Sequence, residues 1–142
     1  MKCLLFLLGS CAIILSMGKG KLTQNGVHLE EHEWKTVKYF LDQGKDIELI
    51  PKSQIKDYHM GDIMMDGTDW EMKAPIGDGK YTVQNTMQTA VQQSENIIID
   101  LSRCKMSEEK AIKEFLREFN GTKGARKMII IKKTKERLDF SK

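Results

Sequence analysis

At 142 residues the chain is long enough to bury one core, and its length predicts a single domain and excludes a two-domain enzyme. Hydrophobic residues at 40 % and charged residues at 30 % match ordinary soluble globules and exclude an intrinsically disordered chain. The formal charge of +3 is too small to specify a nucleic-acid partner, although seven basic residues stand against two acidic ones from Arg126 onward.

Met1-Lys2 precedes an uncharged stretch over 3–17, followed by Gly18-Lys19-Gly20-Lys21. A short positive start, an apolar run of this length and a polar exit read either as an export signal or as the remnant of a longer apolar region in a parent protein. The run is too short to predict a stable membrane span. The expected division is therefore an apolar leader over 1–22 and a folded body over 23–142. Cys3 and Cys11 lie in the leader and Cys104 is alone in the body, which leaves no disulfide framework or paired-cysteine zinc site. His28 and His32 share a helical face at i, i+4, but no HExxH zinc motif is present.

Residues 28–41 (HLEEHEWKTVKYFL) carry apolar side chains at three- and four-residue spacing and predict a helix stopped at Gly44. Three strands should follow over 46–51, 61–66 and 70–74, the last two joined at Asp66-Gly67, a strong hairpin signal. Residues 81–95 place Val83, Met87, Ala90 and Val91 on one helical face. The uninterrupted run NIIIDL over 96–101 suits a strand buried on both sides. Ser107 caps a third helix with an acidic first turn, ending near Asn120-Gly121. Residues 127–132 form another buried strand and 136–140 an edge strand. The order α-β-β-β-α-β-α-β predicts an α/β fold, a mixed sheet flanked by helices.

Within this frame Asp62 opens the second strand, while Glu71 and Lys73 lie two positions apart on the third. Side chains alternate along a strand, so Glu71 and Lys73 should project together and Trp70 and Met72 to the other side. The hairpin is expected to bring Asp62 beside them. Two converging carboxylates suit a hard divalent cation, and an adjacent lysine can orient a water or stabilise charge on a phosphate. The same residues also read as an ordinary Glu-Lys pair on a strand face.

The segments GDIMMDGTDWEMKAP and YTVQNTMQTAVQQSENIIIDLS resemble the PD-(D/E)xK nuclease superfamily. More narrowly, they resemble the C-terminal nuclease domains of contact-dependent growth inhibition (CdiA-type) toxins. The likeness covers about residues 27–140 and implies a restriction-endonuclease-like sheet. It implies Asp62 and Glu71 as metal-binding carboxylates, Lys73 as the catalytic lysine and Gln93 as a glutamine that positions lysine or substrate. Glu33 would complete the metal site, with Glu30 as its substitute. Gly61 stands where the superfamily name has proline. The implied cofactor is a divalent metal, Mg2+ or Mn2+, with Zn2+ as the alternative.

The implied activity is cleavage of nucleic acid, tRNA first and DNA second, by a toxin secreted or delivered into a target-cell cytoplasm. A cognate immunity protein is implied as well. Lys80, Lys132 and Lys133, with Arg103 and Lys105, are expected to neutralise phosphates. Tyr58 and Tyr81 are the aromatics placed to stack on an unpaired base, while Trp34 and Trp70 belong to the core. A catalytically silent binding module and a purely structural domain are the competing readings.

Overall fold

The computed structural model describes residues 14–17, 20–53 and 59–142. Contacts divide the chain into two compact units, Met1–Asp69 and Trp70–Lys142. Among the described residues the first carries one helix and the second two, each unit with its own buried apolar residues.

In the first unit β1 (Ile14–Met17) pairs antiparallel with β2 (Gly20–Thr23), which runs parallel to β3 (Ile47–Leu49). β3 is antiparallel to β4 (Ile63–Met65). Helix α1 (Glu31–Asp42) places Val37, Phe40 and Leu41 in a core with Leu22, Ile47, Leu49 and Ile63. Its acidic first turn, Glu31 and Glu33, complements the positive end of the helix. Gly44 follows the helix at φ 89°, a backbone conformation that glycine adopts without a β-carbon penalty.

Strand β2 overlaps the end of the expected leader. It begins at Gly20, and Leu22 is fully buried. A β-carbon on Gly20 would collide with the carbonyl oxygen of Lys45, so the chain here is packed tightly against the segment that follows α1. The Gly-Lys-Gly-Lys run resembles an exit from an apolar stretch, but its second half is a strand that pairs with a distant one.

The turn after β4 is as expected: Asp66 and Gly67 have φ of 54° and 80°, the signature of a two-residue hairpin turn. Strand β5 (Thr68–Lys73) leaves it. In the second unit β5, β6 (Asn96–Asp100) and β7 (Lys127–Ile131) run parallel in that order, and β8 (Arg137–Ser141) closes the edge antiparallel to β7. Helices α2 (Thr82–Val91) and α3 (Glu108–Gly121) make the two crossovers. All five residues of β6 are buried, which accounts for its central run of three isoleucines. Phe115, Phe119, Met87, Val83 and Ala90 pack from the helices onto Ile97, Ile99, Met128 and Ile130. From α1 to β7 the order of elements is the one read from sequence, in a mixed α/β fold; β1 and β2 are additional.

Among the described residues, no helix is long and apolar enough to cross a membrane.

Candidate functional site

In the second unit the period-two geometry of β5 turns Glu71 and Lys73 to one side. The Lys73 amine stands 3.1 Å from a Glu71 carboxylate oxygen. Glu71 is only 6 % exposed, whereas the Lys73 side chain keeps 29 % of its surface. Trp70 and Met72, at the alternate positions, are buried. Residues 71–73 pair with Ile97, Ile98 and Ile99 of the wholly buried β6, so the pair is carried on a rigid strand. The loop beyond Lys73 is tied down: Arg103 Nε donates to the Ala74 carbonyl at 3.0 Å and the Lys105 N–H to that of Ile76 at 2.8 Å. A buried carboxylate beside an amine with partial access to solvent can fix that amine in place and aim it at an anion.

In the first unit Glu30, Glu33, Lys52 and Asp62 line a cleft of about 400 Å³ between the start of α1 and the end of β3. Burial raises the Glu33 carboxyl above the usual carboxylate range, and the negative charge of Asp62 raises it further; His32 and Lys52 oppose the shift. Asp62 lies 4.0 Å from the amine of Lys52. His32 Nδ1 is 3.4 Å from Glu30, and one ligand atom from each of Glu30, His32 and Glu33 falls within a 4.8 Å cluster. Carboxylate oxygens with one imidazole are a donor set that Mg2+, Mn2+ or Zn2+ accepts. Sequence reading paired His32 with His28; the structure sets it against Glu30 instead, a contact at i, i+2 across the helix start. Next to Asp62, the Gly61 N–H donates to the Asp69 carboxylate at 2.8 Å across the turn.

The remaining expected site residues are dispersed. Gln93 follows α2, half-buried, its N–H bonded to the Ala90 carbonyl at 2.9 Å. Lys80 and Tyr81 are exposed, the amine 5.3 Å from the ring centre. Tyr58 lies outside the described residues. Lys132 is bound to Glu136 at 3.0 Å, a hydrogen bond that raises its amine above the ordinary lysine value. The Lys133 amine reaches the Met106 carbonyl at 3.4 Å. Much of the basic excess after Arg126 is thus engaged within the second unit: Lys135 meets Ser102, Arg137 meets Asp139, and Lys142 donates to the Thr122 carbonyl. Trp34 is half-buried and Trp70 is in the core. Sequence reading missed Lys110, Lys113 and Arg117, which line a cleft with Lys80 and Tyr81; the available signal was the like charges of Lys113 and Arg117 at i, i+4 on a helix.

Residues 61–137, from just before β4 to the first residue of β8, match the family profile of the contact-dependent growth inhibition CdiA C-terminal domain. That segment is more than half of the chain. The chain belongs to this family. Asp62, Glu71, Lys73 and Gln93 all fall inside the matched segment, while Glu33 precedes it. The fold of this CdiA C-terminal domain is similar to a solved chain described as a CdiA-CT/CdiI toxin and immunity complex from Burkholderia pseudomallei. The TM-score is 0.61 at 17 % identity, over 85 % of this chain and 98 % of that one. No curated protein matches the sequence.

Proposed function

We propose that this CdiA C-terminal domain is a toxin that hydrolyses phosphodiester bonds of nucleic acid in a target cell, with tRNA the favoured substrate and DNA the alternative. The reading adopts the PD-(D/E)xK arrangement implied by sequence resemblance. The observation that carries it is the 3.1 Å pair of Lys73 with the buried Glu71 on a strand backed by β6. Glu71 fixes the position of the Lys73 amine, which then stabilises negative charge as it builds on the phosphoryl oxygens. Water attacks phosphorus in line, its oxygen forming the new bond and giving up a proton to solvent as the P–O ester bond breaks and the departing oxygen takes up a proton from solvent.

Asp62, Glu71 and Glu33 are the proposed carboxylate ligands, with Glu30 and His32 beside Glu33. A bound divalent cation, Mg2+ or Mn2+ with Zn2+ as the alternative, would neutralise phosphate charge and lower the pKa of water. The Glu33 carboxyl, raised first by burial and next by the charge of Asp62, is consistent with this role, because a bound cation would offset both. Gln93 would position lysine or substrate, and Lys80, Tyr81, Tyr58, Lys132 and Lys133 would meet the nucleic acid. A cognate immunity protein is the expected partner, as in the toxin and immunity complex of similar fold.

The test is incubation of the purified chain with total tRNA and with plasmid DNA, in each cation and in EDTA. Cation-dependent cleavage of one substrate supports the reading. A folded protein that binds either substrate and cleaves neither would replace it with a silent binding module.

A further inference from the structure

We infer that the cleft between loop 78–81 and α3 is a subsite for an unpaired stretch of the nucleic acid, with Tyr81 stacking on a base and Lys113 and Arg117 holding flanking phosphates. The inference deepens the nuclease reading and rests on it for the substrate class. The cleft encloses about 970 Å³ and lies wholly within the second unit. Tyr81 stands at its edge, 57 % exposed, a large ring left in water at the N-cap of α2 with no capping bond from its side chain. The Lys80 amine over its ring adds a cation beside the aromatic face. The first turn of α2 contains no acidic residue, so the positive end of the helix adds to the field there.

The opposite wall comes from α3. Lys110 is answered by Glu114 at 3.9 Å. Lys113 and Arg117 stand one turn apart, a like-charge spacing that costs an isolated helix stability and that bound phosphates would relieve. Asp78 and Glu118 line the same cleft. Their charges repel a continuous run of phosphates, as a duplex backbone would present, but can accept from the amino groups of an unpaired base. A single strand that alternates base and phosphate contacts satisfies both sets, and a duplex does not.

The experiment uses the full chain in EDTA, with a fluorescently labelled ten-nucleotide RNA of mixed sequence and a duplex of equal length as probes. Expected results are tighter binding of the single strand, a loss of about tenfold in affinity for Tyr81→Ala, and retention for Tyr81→Phe. The double variant Lys113→Ala/Arg117→Ala should flatten the slope of log affinity against log salt by about 1.4, the release expected for two single-strand phosphates. Circular dichroism melts confirm that each variant is folded. Unchanged affinity and slope in folded variants, or preference for the duplex, overturns the inference. With cleavable substrate the cleft variants should raise KM. Cleavage with KM unaltered defeats the subsite and leaves the nuclease reading standing, whereas cleft-dependent binding without any cleavage defeats the nuclease reading alone.

Discussion

The amine of Lys73 and the carboxylate of Glu71 meet at 3.1 Å from positions two apart on β5, one side chain partly in solvent and the other almost wholly out of it. The asymmetry matters, since a buried carboxylate loses most when its cation is removed. Lys73→Ala should therefore destabilise the protein by about 1–3 kcal/mol, less than for a fully buried pair because Lys73 keeps solvent contact. Urea unfolding at neutral pH checks this, with Lys73→Arg as the charge-retaining control. Equal stability of Lys73→Ala and wild type would mean that the pair contributes nothing to the fold.

Glu33 gives a pH-dependent prediction. Its folded-state carboxyl is raised, first by burial and next by Asp62, so it binds its proton more tightly folded than unfolded. The stability this confers is complete below the unfolded carboxylate pKa and is lost as pH rises through the folded value. Glu33→Gln removes the cost of ionisation. In EDTA it should melt higher than wild type at pH 7, with the gain shrinking toward pH 4. A difference that does not change between those pH values would contradict the assigned environment.

Gly20 tests how far back the fold reaches. Because a β-carbon there meets the Lys45 carbonyl, Gly20→Ala should cost about 1–3 kcal/mol through overpacking. Leu22→Ala, which empties a fully buried position, should cost about 2–5 kcal/mol. Thermal or urea melts of the two variants check this, and wild-type stability in both would place the segment outside the folded body.

What sequence made legible was local. The Asp66-Gly67 turn, the alternation on β5 and the buried isoleucine run of β6 follow from periodicity and turn chemistry alone, and each is present. The Glu71–Lys73 contact was legible for the same reason, since both ends lie on one strand. Strand β2 was not, because the four residues Gly-Lys-Leu-Thr become a strand only through parallel pairing with β3, 25 residues on from Leu22 to Ile47. The influence of Asp62 on Glu33 likewise joins a loop to a helix far apart in sequence. Lys132 looked free in a basic run, yet the turn that holds Lys135 at φ 74° brings Glu136 back onto it.

Glu71 and Lys73 are proposed to carry phosphodiester hydrolysis, and single-turnover cleavage tests that role. Wild type, Glu71→Gln and Lys73→Ala would be compared on whichever of tRNA or plasmid DNA the wild type cuts, with Mg2+ or Mn2+ present, and affinity for the uncut substrate measured in EDTA. Rate losses of about a hundredfold or more are expected in both variants with affinity retained, because stabilisation specific to the transition state is removed. Cleavage by either folded variant at the wild-type rate would contradict it.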